Sequence, residues 1–154
     1  YIAIMNKKKA LGKIIKTPDN PLGYTFDKLK NNNSNSNYCV RFTIPEFTSI
    51  CPVTSQPDFA TLVIDYIPKR WLLESKSLKI FIQSFRNYGI FHEDVTILIG
   101  KNILKQAKPN WLRVAGFFAP RGGIPIDVFW QSGKIPKNCF VPEISNFIKK
   151  NQMG

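Results

Sequence analysis

The segment Phe59-Ala-Thr-Leu-Val-Ile-Asp-Tyr-Ile-Pro68 is the clearest strand signal in the chain. It is rich in β-branched and aromatic residues, and its apolar side chains at positions 62, 64 and 66 alternate toward one face. From Trp71 to Tyr88 the apolar residues recur at three- and four-residue spacing instead, which predicts a helix that ends near Gly89. This change of period places the chain in a mixed class of strands and helices.

Further elements lie on both sides of this pair. Before it, an alternating strand is closed by Pro45 and followed by a proline-rich loop; after it come a second helix and two strands joined by a glycine turn. In chain order we predict a strand at 38–44, a loop at 46–58, a strand at 59–68, helices at 71–88 and 92–107, a strand at 111–119, a turn at 121–123 and a strand that carries Ile126, Val128 and Trp130. Two helices on one face of an antiparallel sheet make an α+β fold of order ββααββ. Its two open sheet edges favour pairing between copies of the chain.

The ends of the chain are weakly patterned. Residues 1–37 hold lysines, turn signals and the low-complexity tract Asn31-Asn-Asn-Ser-Asn-Ser-Asn37, which predict a basic, partly flexible segment ahead of one domain at 38–154. The tail from Gly133 to Gly154 is basic and is predicted to be partly helical at best. Because the chain begins with Tyr1 rather than Met, we expect that residues precede it.

Composition limits the class of protein. With 154 residues, 44% of them hydrophobic, the chain can bury a core without disulfides or a structural metal. It has no apolar run of about 18 residues, and its N-terminal lysines follow rather than precede the apolar residues, unlike a signal peptide. We therefore expect a cytoplasmic protein without a membrane span.

The charge is strongly positive, with 22 Lys and Arg against 10 Asp and Glu, a net of +12. The basic residues cluster at 7–16, at 101–113 and at 149–150. Such clusters attract the phosphates of nucleic acids or of a phosphorylated cofactor, although solvated lysines that only keep the protein in solution give the same pattern.

The chain has three cysteines, Cys39, Cys51 and Cys139. Their odd number and the absence of a CxxC pair argue against a disulfide framework, and His92 as the only histidine argues against a closed zinc site. Cys51 is the candidate nucleophile because it lies in a predicted loop seven residues before Asp58. A thiolate attacks an electrophilic carbon while a nearby acid delivers a proton, but a buried filler and a turn cap remain the alternative roles.

The other candidate site residues lie at the starts of the two predicted helices. His92 is the chain's one histidine, a residue type suited to proton transfer near neutral pH unless this one is only a surface residue, and the adjacent Glu93 suits the paired N–H edge of a purine, unless it only complements the helix dipole. At the first helix, Ser75 is a candidate cap, and Lys76 with Lys79 suits a phosphate unless both are simply solvated. The chain has no GxGxxG or P-loop motif, so a nucleotide would not be held in the Rossmann or Walker manner.

Four segments together resemble a known family: Cys51-Pro-Val-Thr-Ser-Gln-Pro-Asp58, Glu74-Ser-Lys-Ser-Leu-Lys79, Phe91-His-Glu93 and Arg121-Gly-Gly123. In order and spacing they are similar to the NADPH-dependent 7-cyano-7-deazaguanine reductases, the nitrile reductases of queuosine biosynthesis. The resemblance spans residues 42–130, and the motif at 74–79 separates this family from the GTP cyclohydrolases that share its tunnelling fold. Ser55 stands where glycine is usual, and Ile80 where leucine or tyrosine is usual.

The resemblance implies a mechanism. Cys51 would add to the nitrile carbon as a covalent thioimide, and Asp58 would protonate the nitrile nitrogen. A first hydride from NADPH would give a hemithioaminal, Cys51 would leave as an imine forms, and a second hydride would give 7-aminomethyl-7-deazaguanine. His92 would stand beside the substrate and assist proton transfer.

The resemblance also implies binding residues and an assembly. Substrate contacts fall on Leu73, Glu74, Ser75, His92 and Glu93. Contacts to NADPH, whose extra ribose phosphate suits positive charge, fall on Ser75, Lys76, Arg121 and Gly122. Neither a metal nor direct contact with nucleic acid is implied. Single-domain members form pentameric rings that pair into decamers, with active sites between subunits, which fits the open sheet edges.

Two other functions remain open at this point. A hydrolase similar to the GTP cyclohydrolases would share the fold but would need a metal-bound water and more ligands than one histidine. A basic RNA-binding module would use the lysine clusters, with Trp111 and Trp130 for base stacking.

Overall fold

The computed structural model describes residue 14 and residues 16–144, and its centre is a four-stranded antiparallel sheet. The elements are β1 (Lys28–Lys30), β2 (Val40–Ile50), β3 (Pro57–Ile67), β4 (Trp71–Leu73), α1 (Ser75–Gln83), α2 (His92–Ala107), β5 (Trp111–Arg121) and β6 (Ile124–Gln131). The large sheet has the order β2-β3-β5-β6, and β1 pairs with β4 in a separate two-stranded sheet. The predicted α+β class and the order ββααββ of the large sheet and its helices are confirmed.

The core lies between the two helices and one face of the sheet. Leu62, Ile64 and Tyr66 of β3 belong to one buried cluster with side chains of α1 and α2, as their alternation predicts. The other face of β3 is buried too, since Asp65 is 0% exposed beneath Arg41. Both faces of β3 are therefore buried from Leu62 to Ile67, whereas Phe59 near the start of the strand is exposed.

At β2 the prediction is wrong. The strand continues past Pro45 to Ile50, with a shift of register between Ile44 and Phe47. Pro45 lacks an N–H group, but β2 is an edge strand and the residue lies at an irregularity where the ladder is already interrupted. The predicted loop at 46–58 thereby shortens to the six residues 51–56, between the ends of β2 and β3.

The predicted helix at 71–88 is also too long. Its first residues form β4, because Trp71–Leu73 pairs with Lys28–Lys30, a partner distant in sequence. Glu74 rather than Ser75 caps α1, which ends at Gln83 rather than near Gly89. Gly89 instead forms a parallel bridge with Ile50. The second helix, α2, begins at His92 and ends at Ala107, as predicted.

The ends contribute more to the fold than their sequence suggests. Phe26 is 3% exposed in the core cluster, and the Asn31 side chain, also 3% exposed, donates to the backbone carbonyl of Lys69. Residues 32–37 lie at the surface, as expected. The described part of the tail, residues 133–144, is not helical and passes over the helix-free face of the sheet, where Arg41 and Arg113 donate to the carbonyl oxygen of Pro142.

Parts of three predictions lie outside the described residues: the lysines at 7–13, those at 149–150, and any helix beyond residue 144. Within residues 16–144, no helix is long and apolar enough to cross a bilayer.

Candidate active site

The loop that joins β2 to β3 is wrapped around the backbone of Cys51. The Cys51 N–H group donates to the carbonyl oxygen of Gln56 at 2.9 Å, and the Ser55 N–H group donates to the Cys51 carbonyl oxygen at 2.9 Å. Ser55 has φ of +56°, a left-handed conformation that glycine adopts at less cost than any residue with a Cβ. This conformation explains why a residue other than glycine is unusual at position 55. The loop holds the thiol at the end of the sheet.

The environment of the Cys51 thiol favours its ionised form. The side chain is 8% exposed. Hydrogen bonds from the Thr54 side chain, from Arg121 and from the backbone N–H groups of Thr54 and Val53 lower the pKa of Cys51 from 9.0 to about 6. By contrast, burial raises the pKa of Cys39 to about 11. Cys51 is therefore ionised at neutral pH, and ionised thiols are the reactive form.

Arg121 connects this thiol to the carboxylate of Asp58. Its Nη2 donates to Thr54 Oγ1 at 2.8 Å and to Gln56 Oε1 at 2.5 Å, and its Nη1 lies 3.2 Å from Asp58 Oδ1. A guanidinium group presents several donors in one plane, so it can bind the loop and the carboxylate together. Arg121 is thus the centre of the ionic contacts at this end of the sheet.

Asp58 and His92 meet beneath this arginine. Asp58 is the second residue of β3 and is 3% exposed, and its Oδ1 lies 3.2 Å from Nε2 of His92, the first residue of α2. The His92 ring stacks on Phe118 with centroids 4.1 Å apart, which fixes its plane. Although nitrogen atoms of Arg121 and His92 lie close by, Asp58 Oδ1 accepts no hydrogen bond of good geometry from the described residues. The acid therefore keeps an oxygen available for a further partner.

The N-terminus of α2 adds to the positive potential at this point. No side chain in the described part of the chain caps it, so its first N–H groups and the helix dipole favour negative charge nearby. Glu93, the residue after His92, is exposed beside the cluster. Its carboxylate is thus accessible from solvent.

The remaining predicted substrate and cofactor residues lie elsewhere in the chain. The Leu73 N–H group donates to Tyr66 Oη at 3.2 Å, which places β4 and the start of α1 at the Tyr66 end of β3. Asp58 and Tyr66 are eight residues apart in β3, about 26 Å in an extended strand. One chain therefore brings together Cys51, Asp58, His92, Glu93 and Arg121, but not Leu73, Glu74, Ser75 and Lys76.

Within its own chain, the Glu74 carboxylate caps α1. Its two oxygens accept from the backbone N–H groups of Lys76 at 2.9 Å and of Ser77 at 2.8 Å, and the side chain is 5% exposed. Ser75, the next residue, is exposed at the start of the helix. A ligand at this helix end would thus meet Ser75 before Glu74.

Thr54 and Gln56 are site residues that the sequence did not reveal. Both belong to the segment 51–58, but their polar side chains carry no catalytic pattern of their own. Their role depends on Arg121, which lies more than sixty residues away in the sequence and reaches both of them. Only a long-range contact of this kind distinguishes them from ordinary loop residues.

The turn between β5 and β6 suits an anionic ligand. Gly122 and Gly123 have φ of +59° and +81°, and a Cβ atom built at either position would have no heavy atom within 4 Å. The backbone is therefore open to close approach directly beside the Arg121 guanidinium, as the phosphates of a dinucleotide require. Among residues 16–144, no group of three or more His, Cys, Asp or Glu side chains is arranged to hold a metal ion.

Comparisons with known proteins identify the family of the chain. The family model described as QueF-like protein matches residues 57–137. A curated relative from Bradyrhizobium diazoefficiens, named NADPH-dependent 7-cyano-7-deazaguanine reductase, is 58% identical over 137 residues, 89% of this chain and 90% of that protein. Relatives of the same name from Rhodopseudomonas palustris (strain HaA2) and Parvibaculum lavamentivorans are 59% and 56% identical, over 86% and 88% of this chain and 84% and 88% of their own lengths.

A solved structure supports the fold. The apo crystal structure of the archaeosine synthase QueF-Like superposes with a TM-score of 0.60 and covers 66% of this chain and 99% of that one, at 24% identity. This structural similarity is consistent with a tunnelling-type α+β fold. Since the family model covers just over half of the chain and the curated relatives cover most of it, the chain belongs to the QueF-like family of NADPH-dependent 7-cyano-7-deazaguanine reductases.

Proposed function

We propose that this chain reduces the nitrile group of 7-cyano-7-deazaguanine to the primary amine of 7-aminomethyl-7-deazaguanine, with Cys51 as the nucleophile and NADPH as the reductant. The observation that carries the proposal is the low pKa of Cys51, about 6, in a loop that Arg121 ties to the buried carboxylate of Asp58. Nitriles resist direct attack by hydride, so a thiolate that first converts the nitrile into a thioimide makes the reduction feasible. The names of the curated relatives support the same reaction.

The first step uses the two groups that Arg121 holds. The Cys51 sulfur forms a bond to the nitrile carbon while one π bond of the nitrile breaks, and its electron pair moves to nitrogen. Asp58, in its acid form, gives its proton to that nitrogen and becomes a carboxylate next to Arg121 and His92. Atoms and charge balance, because the thiolate and the acid are consumed and a neutral thioimide and a carboxylate are formed.

In the later steps Cys51 becomes the leaving group, and Asp58 must receive a new proton. Bound NADPH would supply hydride to the carbon that Cys51 holds. Cys51 leaves when the carbon–sulfur bond breaks, and the low pKa that makes it a ready nucleophile also makes it a good leaving group. His92, buried with its Nε2 3.2 Å from Asp58 Oδ1, would return protons to the acid between the two reductions.

Substrate recognition falls on Glu93, whose exposed carboxylate beside the cluster suits the paired N–H donors of the deazaguanine ring. We propose that Leu73, Glu74 and Ser75 reach the same substrate from a neighbouring copy, because within one chain they lie at the other end of β3. The active sites would then lie between subunits of a ring, a pentamer or a pair of pentamers, closed through the sheet edges at β2 and β6.

NADPH would be held by Arg121 and Gly122 of one copy, with Ser75 and Lys76 of its neighbour. The open glycine turn leaves room for phosphate beside a guanidinium group, and the exposed start of α1 offers a hydroxyl and an ammonium group.

Because all three cysteines are free thiols and the mechanism needs a reduced one, we place the reaction in the cytoplasm, where thiols stay reduced.

Intact-mass spectrometry tests the nucleophile and the substrate together. After 7-cyano-7-deazaguanine is added without NADPH, we expect a mass gain of one substrate, which Cys51→Ala abolishes. Cys39→Ala is the matched control and retains the gain, since the pKa of Cys39 is raised to about 11. Folded wild-type protein that gains no mass would refute the proposed mechanism. With NADPH present, the expected stoichiometry is two NADPH for each amine formed.

Co-expression tests the shared site. Cys51→Ala and Lys76→Ala chains should each be inactive alone, because each lacks one half of every site. In mixed rings, about one site in four should combine an intact Cys51 with an intact neighbouring Lys76, assuming random assembly. Recovery of activity to that level would support sites between subunits, whereas mixtures as inactive as their parents would place the whole site within one chain.

A further inference from the structure

Two buried polar atoms in the described part of the chain have no hydrogen-bond partner, Ser49 Oγ and Asp58 Oδ1. Ser49 is 0% exposed and Asp58 is 3% exposed. A hydroxyl group removed from water without a partner lowers the stability of the fold, so a small apolar residue at position 49 would make the folded protein more stable. The cost of the buried hydroxyl group therefore indicates a function in a state of the protein other than the resting one.

The two residues face each other across the sheet. Ser49 of β2 and Asp58 of β3 are direct partners in the antiparallel ladder, so their side chains project from the same face. The Cβ atoms of such partners are about 4.5–5.5 Å apart. Rotation about the Cα–Cβ bond of Ser49, between staggered positions, is enough to bring its hydroxyl group within hydrogen-bond distance of the carboxylate.

The other sides of Asp58 are already occupied. His92 faces it from α2, Arg121 faces it from the end of β5, and Cys51 lies beyond the arginine in the loop. On β2 the opposing residue is uncharged Ser49. His92, Arg121 and Cys51 each have another role in the proposed reaction, whereas Ser49 has none.

We propose that Ser49 is a positioning residue for Asp58, and that its buried hydroxyl group donates a hydrogen bond to the carboxylate that Asp58 becomes after it protonates the substrate. This role rests on the proposed function of Asp58 as the acid. A hydroxyl group accepts from a protonated carboxyl group and donates to an ionised one, so it can follow the acid through both states. In the resting structure neither atom has a hydrogen bond, and the bond forms when Ser49 rotates toward the new carboxylate.

The direct test is Ser49→Ala in the full chain, with the rate of adduct formation on Cys51 measured by mass across a range of pH. Without the hydrogen bond the carboxylate is less stable, so Asp58 is a weaker acid, and at pH values where Asp58 is fully protonated we expect the rate to fall up to about tenfold. The acid also keeps its proton to higher pH, so the alkaline limb of the profile moves up by about one pH unit. Ser49→Thr, which keeps a hydroxyl group, should restore both, and Thr48→Ala, on the opposite face of the same strand, should change neither.

Thermal unfolding separates this role from a structural one. If the hydroxyl group serves only catalysis, its removal leaves the melting temperature unchanged or raises it, because an unpartnered buried group is lost. A lower melting temperature in Ser49→Ala, with a slowed reaction that Ser49→Thr does not restore, would overturn the proposal. So would a Ser49→Ala rate and pH profile equal to those of the wild type.

A titration without substrate tests the pair independently of the reductase reaction. The carboxyl carbon of Asp58, labelled with ¹³C and assigned by its loss in Asp58→Asn, should titrate about one pH unit higher in Ser49→Ala than in the wild type. An unchanged midpoint would overturn the link between Ser49 and Asp58. Wild-type protein that forms no adduct, by contrast, would overturn the function of Asp58 as the acid.

Discussion

Thr54→Val tests how the loop activates Cys51. The substitution keeps the shape of the side chain and removes only the hydroxyl group, the largest single cause of the lowered pKa of Cys51. A hydrogen bond to a charged form lowers the pKa of an acidic group by about one unit, so we expect the pKa of Cys51 to rise from about 6 to about 7. At pH 6 the ionised fraction then falls from about one half to about one tenth.

The assay is alkylation by iodoacetamide as a function of pH. Carrying both chains in a Cys39→Ala, Cys139→Ala background leaves Cys51 as the sole thiol of the sequence. Because only the thiolate reacts, the wild-type rate is lost as the pH falls through about 6, and the variant rate is lost about one unit higher. At pH 6 we expect a roughly fivefold slower reaction in Thr54→Val, and at pH 9 nearly equal rates.

Thr54→Ser is the control because it keeps the hydroxyl group and should follow the wild-type curve. A Thr54→Val curve that coincides with the wild type would refute the assignment of the Thr54 hydroxyl group as a donor to the thiolate. A wild-type midpoint near 9 would refute the activation of Cys51 altogether, since that is the ordinary value.

Three further changes have defined outcomes. Asp58→Asn removes the acid and should lower the rate of adduct formation at least a hundredfold, roughly the contribution of general acid catalysis, while a circular dichroism spectrum like the wild type shows an intact fold. Ser55→Gly should raise the melting temperature, because the left-handed φ of +56° strains any residue with a Cβ; a lower value would contradict that cause. Gly100→Ala should lower stability to denaturant by about 1–3 kcal/mol, because the new Cβ would lie 2.3 Å from a ring atom of Trp130, and a neutral effect would mean that the ring moves freely.

The sequence pattern correctly predicted the elements whose boundaries are set by residues within or next to the element. The helix α2 has an acidic first turn, basic residues at its end and a following proline, and its bounds agree with the prediction. The boundaries that failed depend on distant partners. Trp71–Leu73 is a strand because Lys28–Lys30 lies beside it, and β2 continues past Pro45 because β3 holds the strand beyond the irregularity.

The sequence by itself determined the α+β class and the family to which these motifs belong, and it singled out a loop cysteine and an acid seven residues later as candidates. Tertiary structure decided which residues share a site. It brings Arg121 and His92 onto Asp58, makes Thr54 a partner of the arginine, and leaves Ser75 near the Tyr66 end of β3, away from Asp58. The physical reason is that composition and periodicity report the contacts of a residue with its near neighbours, whereas the Arg121 donor that helps to lower the pKa of Cys51 reaches the thiol only when β5 lies against the loop.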